Sequence, residues 1–209
     1  MSIQKAYNEW AESYDTDENL TRDLDQKVTQ DLFANLHFNS ILEIGCGTGK
    51  NTSFLAQIAD EVHAVDFSQG MIEKAMEKVR ADNVKFSTMD LTKKWMFDDD
   101  SFDLVVCNLV LEHIENISFV FSEASRVLES QGRFFINELH PFRQYDGKKA
   151  RYHINGKAIE VDAFTHHISD FLNAATAKGF ALGRLNEYWH EEDKNKMPRI
   201  VSLLFEKAH

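Results

Sequence analysis

Residues 41–51 constrain the fold more than any other segment, because an apolar strand there runs directly into three closely spaced glycines. The segment reads Ile-Leu-Glu-Ile-Gly-Cys-Gly-Thr-Gly-Lys-Asn. Glycine lets the backbone turn sharply and approach a ligand where a Cβ would collide. In an open α/β sheet, the turn after the first strand is where nucleotide-like ligands dock. A strand-to-helix turn that binds no ligand is the alternative interpretation.

The spacing of these glycines departs from the dinucleotide-binding pattern. That pattern, G-x-G-x-x-G, requires a glycine at position 50, where this chain has Lys50. The third glycine comes one residue earlier, at Gly49, and the strand itself carries an acidic residue, Glu43. A dehydrogenase is therefore disfavoured.

The run at 42–49 resembles, almost residue for residue, the first motif of the class I S-adenosylmethionine-dependent methyltransferases. Within that class the chain is similar to the type 11, small-molecule methyltransferases. The resemblance is strong over residues 5–140 and weak over the remainder. It implies that S-adenosyl-L-methionine is the cofactor and S-adenosyl-L-homocysteine the product. It also implies transfer of the methyl group by in-line displacement, with no metal required.

Strand and helix patterns alternate from residue 40 onwards. Apolar runs predict strands at 41–44, 62–65, 84–86, 102–107 and 133–137, with helices at 51–59, 71–79 and 119–128 between them. Ser68 is predicted to cap the second of these helices. Such alternation is typical of a parallel sheet with helices on both faces, a Rossmann-like doubly wound α/β fold.

The last third of the chain follows a different pattern. Asn155-Gly156 lies between two short apolar runs and predicts a β-hairpin. A helix at 169–178 is predicted to end at Gly179. Strands at 180–189 and 200–205 have no helix between them and should be antiparallel. We therefore expect a mostly parallel seven-stranded sheet that finishes in an antiparallel strand pair, as in the resembled family.

These segments predict one methyltransferase domain of 209 residues, and a chain of this size removes roughly 70% of its unfolded surface from water. We expect a helical lid at 1–38, a cofactor-binding core at 39–140, a substrate-side insertion with the hairpin at 141–168, and a C-terminal helix and strand pair at 169–209. Trp10 and Tyr14 are the predicted closing contacts of the lid. An amphipathic helix packed on the edge of the sheet is the alternative for its first segment.

Acidic residues after the second and third strands are placed to bind a nucleoside. Asp66 lies about twenty residues past the glycine turn, where a carboxylate can accept hydrogen bonds from both ribose hydroxyls. Capping of the next helix is the alternative. The family pattern places Asp90 at the adenine amino group, and Asn108 and Leu109 beside the methyl group. The residues assigned to the cofactor are Tyr14, Glu43, Gly45, Cys46, Gly47, Asp66, Phe67, Met71, Asp90, Leu91, Asn108 and Leu109.

The acceptor site should be built from segments that follow the fourth and fifth strands. His140 and His166 are candidate catalytic bases, because a histidine pKa near neutrality suits proton transfer. A histidine hydrogen-bonded within a turn is the alternative for each. The candidate substrate contacts are Trp10, His113, Arg143 and His167. No histidine–cysteine cluster of zinc type is present, and no metal is predicted.

Composition narrows the possible partners. The net charge of −11 disfavours nucleic acid, whose phosphates favour clusters of lysine and arginine. No apolar stretch is long enough to span a bilayer, and two cysteines are too few for a disulfide framework, so we expect a cytoplasmic location. A small-molecule methyltransferase is the first hypothesis. A module of the same fold that binds the cofactor without catalysis, and a protein or RNA methyltransferase, are the alternatives.

Overall fold

The computed structural model of the chain describes residues 3–154, 157–194 and 196–208. The helices are α1 (Ile3–Trp10), α2 (Leu20–Phe33), α3 (Thr52–Leu55), α4 (Gln69–Lys78), α5 (Ile117–Val127), α6 (Pro141–Tyr145) and α7 (Ile168–Ala177). The strands are β1 (Phe38–Ile44), β2 (Ala59–Asp66), β3 (Val84–Thr88), β4 (Phe102–Asn108), β5 (Leu128–Leu139), β6 (Arg151–Ile154), β7 (Lys157–Glu160), β8 (Phe180–Tyr188) and β9 (Ile200–Lys207). Single 3-10 turns lie at Leu111–His113 and Glu191–Asp193.

Seven strands form one sheet in the order β3-β2-β1-β4-β5-β9-β8. The first five strands are mutually parallel, and β9 runs antiparallel to both β5 and β8. The predicted fold class, a mostly parallel seven-stranded sheet that finishes in an antiparallel pair, is confirmed. Because β1 and β4 lie at the centre of the sheet, their carboxyl ends meet at one edge, where the glycine turn also lies.

Helices cover both faces of the sheet, since the central strands are apolar at successive positions. Alternate residues of a strand point to opposite faces. Leu42 and Val105 therefore pack with α5 and α7 on one face, while Ile41 and Val106 pack with α2 on the other. All four of these side chains are fully buried.

Two helices are shorter in the structure than the sequence predicts, because i to i−3 turns replace their i to i−4 backbone hydrogen bonds. The N-terminal helix, predicted over residues 3–14, ends at Trp10, whose carbonyl accepts from the amide of Ser13 at 3.0 Å. The third, predicted over 51–59, spans only Thr52–Leu55. Asn83 Nδ2 donates to the carbonyls of Ala56 and Ala59, each at 2.9 Å, where the helix would have continued.

The predicted helix cap, helix end and hairpin can each be compared with the structure. Ser68 caps α4 and accepts a hydrogen bond from the amide of Met71. Gly179 follows α7 with a positive φ of 78°. β6 and β7 pair antiparallel, while the turn residues Asn155 and Gly156 lie outside the described residues. In the described part of the chain, no helix combines the length and apolarity that a membrane span requires.

Candidate active site

The glycine turn and the end of β2 are joined through the carboxylate of Asp66. One carboxylate oxygen accepts from the amide of Gly47 at 3.0 Å, and the other accepts from the amide of Ser68 at 2.8 Å. Asp66 is 8% exposed, and burial raises its pKa to about 6. The carboxylate thus links the turn after β1 to the start of α4 and still faces open space between them.

The three glycines of the turn all have positive φ, at 73°, 53° and 78° for Gly45, Gly47 and Gly49. A Cβ on Gly45 would lie 2.1 Å from Cγ2 of Val110, so a larger residue does not fit there. A Cβ on Gly47 would meet nothing within 4 Å. The space beside Gly47 is therefore open to a ligand.

That space is a cleft at the carboxyl ends of β1, β2 and β4, which we call the glycine-turn cavity. It encloses about 710 Å³, including its open side. Its lining residues are Tyr7, Tyr14, Gly45, Gly47, Asp66, Phe67, Asp90, Leu91, Thr92, Asn108, Leu109, Val110, His113 and Ile114. Neither lysine nor arginine is among these described lining residues.

Behind the cavity wall, Asp25 of α2 accepts hydrogen bonds from three asparagines. Its carboxylate is bound by the side-chain amides of Asn51 at 2.9 Å, Asn108 at 2.5 Å and Asn137 at 2.6 Å. Burial raises the pKa of Asp25 to about 6. The side-chain oxygens of the three asparagines are buried without a partner among the described residues. Asn108 also lines the cavity, while its side-chain amide is directed to Asp25 and Thr29.

Two further buried carboxyl groups stand behind the same wall. Glu43 accepts a hydrogen bond from the hydroxyl of Thr52, and Glu138 accepts from the amides of Val110 and Leu111 at 2.8 and 2.9 Å. Burial raises the pKa of Glu43 and of Glu138 to about 8. At neutral pH, Glu43 and Glu138 are therefore neutral, while Asp25 and Asp66 carry the negative charge that suits a cationic ligand.

Leu109, directly after β4, has a left-handed backbone with φ of 57°. This conformation is unfavourable for leucine and tends to occur at functional sites. The amide of Leu109 donates to the carbonyl of Asn137 at 2.8 Å, which holds the turn in place.

The N-terminal segment covers the glycine-turn cavity. The side chain of Asn8 accepts from the Ser68 hydroxyl at 2.7 Å and from the Gly70 amide at 3.1 Å, which fixes α1 against the start of α4. Tyr7 and Tyr14 reach the cavity from this segment. The aromatic ring of Tyr7 contacts that of Phe67, with 5.9 Å between the ring centroids.

A second cavity adjoins the first and shares three lining residues with it: Tyr7, Tyr14 and Leu109. We call it the adjoining cavity; it encloses about 1560 Å³, including its open mouth. Its charged lining residues are Arg22, Arg143, Lys148, Lys149 and Arg199 together with Asp17, Glu18 and Glu112. Trp10 and Leu139 also contribute to its wall.

Most residues assigned to the cofactor come together at the glycine-turn cavity. Nine of the twelve line it: Tyr14, Gly45, Gly47, Asp66, Phe67, Asp90, Leu91, Asn108 and Leu109. Glu43, Cys46 and Met71 are buried behind the wall and do not line it. Among the predicted substrate contacts, His113 lines the glycine-turn cavity, and Trp10 and Arg143 line the adjoining one.

The other predicted histidines lie outside both cavities and make structural contacts. His140 is fully buried, and its Nε2 lies 2.8 Å from the carboxylate of Glu187. His166 Nε2 donates to the carbonyls of Leu111 and Ile114, at 3.1 and 2.8 Å. His167 precedes α7 and bonds to the hydroxyl of Tyr145. Each ring therefore has the turn-type environment that was the alternative for His140 and His166.

Sequence reasoning missed four residues that shape the site. Tyr7 lines both cavities, and its position three residues before Trp10 and seven before Tyr14 could have grouped it with them. Asp25 and Thr29 are polar residues four positions apart beside the apolar face of α2, which is a weak signal of a buried polar contact. For Arg22 we find no local signal, because its partners come from the preceding loop.

Comparison with known proteins agrees with this geometry. Residues 42–136 match the family described as Methyltransferase domain. The solved structure of a DhpI–SAH complex has a TM-score of 0.75, with 20% identity over 98% of this chain and 95% of that one. The chain is an S-adenosylmethionine-dependent methyltransferase. An uncharacterized methyltransferase of Emericella nidulans is 26% identical over 98% of this methyltransferase and 84% of the relative.

Other relatives carry more specific names. A malonyl-[acyl-carrier protein] O-methyltransferase of Priestia megaterium is 29% identical over 62% of this methyltransferase. The match covers 48% of that relative, so this chain spans about half its length.

The residues at the glycine-turn cavity fit S-adenosylmethionine. The open space beside Gly47 would be filled by a Cβ, and a carboxylate and an aromatic ring line the same cavity at Asp66 and Phe67.

Proposed function

We propose that this methyltransferase transfers the methyl group of S-adenosylmethionine to a small-molecule acceptor bound in the adjoining cavity. The observation that carries the proposal is the wall of Tyr7, Tyr14 and Leu109 that the two cavities share. Because the two cavities meet at these residues, a donor in one cavity and an acceptor in the other would have their reacting atoms within reach of each other. Such juxtaposition is the main contribution that a protein makes to a displacement of this kind.

The lining residues suggest how the cofactor is held. Asp66 would accept from the ribose hydroxyls while it keeps its bonds to the backbone of Gly47 and Ser68. Phe67 and Leu91 would flank the adenine, with Asp90 at the edge of the ring. Asn108 and Leu109, which both line the cavity, would lie near the methyl group.

When bound, S-adenosylmethionine supplies a methyl group already activated by a positively charged sulfur. The protein's part is to align the acceptor, exclude water and stabilise the cationic donor. Asp25 and Asp66 place negative charge at the cavity, and none of the described lining residues is lysine or arginine. Tyr7 and Tyr14 would close the space above the reacting atoms.

Proton removal from the acceptor is not assigned to His140 or His166, because both lie outside the two cavities. For an acceptor that must lose a proton, we propose the pair of Tyr7 and His113. Tyr7 lines both cavities, and its hydroxyl lies 2.7 Å from Nε2 of His113.

A small-molecule acceptor is favoured by the relatives and by charge. Relatives include a demethylmenaquinone methyltransferase and malonyl-[acyl-carrier protein] O-methyltransferases, although the matched segments cover only 40 to 49% of those proteins. The net charge of −11 opposes RNA as the acceptor. A protein acceptor, or cofactor binding without catalysis, remains the competing function.

The test is incubation of the protein with methyl-labelled S-adenosylmethionine and a cell extract separated into small-molecule and macromolecular fractions. The proposal predicts label in an identifiable small molecule, and its loss with Asp66→Asn but not with Asp60→Asn. Asp60 is an exposed carboxylate of the same strand, outside both cavities. Label confined to macromolecules would contradict the proposal, as would cofactor binding with no labelled product.

A further inference from the structure

Arg22, in the wall of the adjoining cavity, is a buried cation that forms no salt bridge with a described residue. The residue is 8% exposed, and no salt bridge joins it to a carboxylate within residues 3–154, 157–194 and 196–208. The carboxylate of Asp15 interacts with it electrostatically but is itself paired with Lys78 at 2.9 Å. Arginine is rarely buried without a paired negative charge, since removing the charge from water costs several kcal/mol. A cation in this state at the edge of an open cavity indicates a site for an anion.

The contacts of Arg22 leave part of its guanidinium available. Two of its N–H groups donate to the carbonyls of Tyr14 and Asp17. Its carbon Cζ lies 4.1 Å from the ring centroid of Tyr14 and 5.8 Å from that of Trp10. Arginine has five N–H groups, so these bonds orient the guanidinium and leave further donors in the plane. The nearby carboxylate of Asp17 accepts from the indole of Trp10 at 3.0 Å.

A second excess positive charge lines the same cavity. Arg143 and Arg199 share one buried carboxylate, that of Asp193, at 2.9 and 2.6 Å. Two guanidinium groups against one carboxylate leave a net charge of one. Lys148 and Lys149 are exposed at the cavity and form no salt bridge with a described residue. The described lining thus holds five basic side chains against three acidic ones, Asp17, Glu18 and Glu112, in a chain whose net charge is −11.

We propose that the acceptor carries an oxyanion, a carboxylate or a phosphate, which binds at Arg22 in the adjoining cavity. This inference rests on the proposed function, because it names the class of acceptor for the same site. The planar guanidinium suits bidentate binding of either oxyanion, and the excess positive charge of Arg143 and Arg199 strengthens the attraction of the anion to this cavity. The oxyanion would lie on the far side of Tyr14 from the donor, so the group that accepts the methyl lies elsewhere on the acceptor.

The test is calorimetric titration of succinate, malonate and inorganic phosphate into the protein saturated with S-adenosylhomocysteine. Dimethyl succinate is the uncharged control. We expect at least one of the anions to bind with a Kd of about 10 mM or below. Its affinity should fall as the salt concentration rises, and the diester should not bind. Binding by the dicarboxylates indicates an acid acceptor, and binding by phosphate alone indicates a phosphorylated one.

The variants locate the binding. Arg22→Gln should weaken binding of the anion about tenfold. Arg80→Gln, which changes an exposed arginine just after α4, should leave the affinity unchanged. If Arg22→Gln fails to fold, the double variant Lys148→Gln with Lys149→Gln should still weaken binding about threefold, through lost charge at the mouth. Anion binding unchanged in these variants would overturn the inference.

The two hypotheses fail in different ways. Failure of every anion to bind, while S-adenosylhomocysteine binds, would overturn the oxyanion inference and leave the proposed function intact. Failure of S-adenosylhomocysteine itself to bind would overturn the proposed function.

Discussion

The hydroxyl of Tyr7 lies 2.7 Å from Nε2 of His113 and joins α1 to the turn that follows β4. Nδ1 of His113 lies 3.1 Å from the carbonyl of Asp162, which can only accept a hydrogen bond. Nδ1 therefore carries the proton, and Nε2 accepts from Tyr7. Burial raises the pKa of Tyr7 well above its usual value of 10, so its hydroxyl stays protonated and donates. These two hydrogen bonds thus connect the N-terminal segment, the turn after β4 and the segment after the hairpin above the glycine-turn cavity.

Tyr7→Phe should loosen this connection without emptying the site. The ring and its contact with Phe67 remain, while one hydrogen bond is lost and Nε2 of His113 is left without a partner. We expect about 1 kcal/mol less unfolding free energy and faster amide exchange over residues 3–14. Hydrogen exchange and denaturant titration measure both.

Tyr145→Phe is the matched control, since it also removes a hydroxyl bonded to a histidine, His167, but outside both cavities. It should leave amide exchange at 3–14 and the affinity for S-adenosylhomocysteine unchanged. Equal effects of the two variants would show that the Tyr7 hydroxyl has no particular role in holding the N-terminal segment.

The pKa of Glu43 predicts how stability depends on pH. Burial raises it from 4.5 to about 8, so the folded state holds this proton more tightly than the unfolded state does. The stability contributed by the protonated form is complete below pH 4.5 and is lost as the pH rises through about 8. Glu43→Gln should therefore reduce the fall in unfolding temperature between these pH values. Glu129→Gln, at an exposed position, should not, and an unchanged pH profile in Glu43→Gln would contradict this account.

Leu109→Gly should separate folding from catalysis. Glycine relieves the left-handed strain of about 1 kcal/mol, which offsets the lost packing of a partly buried side chain, so stability should change little. The wall between the two cavities loses its side chain, and kcat should fall about tenfold through poorer alignment. Gln131→Gly relieves a similar positive φ, 67°, at the start of β5 and should leave kcat unchanged. An unaltered kcat in Leu109→Gly would exclude a positioning role for that side chain.

The parts of the molecule that could be predicted from sequence are those with local signals. The strand–turn–helix alternation and the glycine spacing are properties of neighbouring residues, and they place Gly45, Gly47, Asp66 and Asn108 around one cavity. The antiparallel β8–β9 pair was predictable for the same reason, since no helix separates the strands.

The acceptor side was harder because its residues meet through long-range contacts. Arg22 reaches the adjoining cavity by bonds to the loop before α2, and Arg199 joins it from the start of β9. The histidines were chosen for their chemistry, but hydrogen bonds to Glu187 and to the carbonyls after β4 place His140 and His166 outside the cavities. No sequence spacing encodes those contacts.

The central claim is that S-adenosylmethionine binds beside Gly47, and calorimetric titration of S-adenosylhomocysteine into two alanine variants tests it most directly. Gly47→Ala and Gly179→Ala each place a Cβ at a positive φ with nothing within 4 Å, so both should lose a similar stability of about 1 kcal/mol. Only the Cβ at position 47 enters the glycine-turn cavity. We predict micromolar binding to the wild type and to Gly179→Ala, and at least about a hundredfold weaker binding to folded Gly47→Ala. Equal affinity in both variants, or no binding to the folded wild type, would contradict the claim.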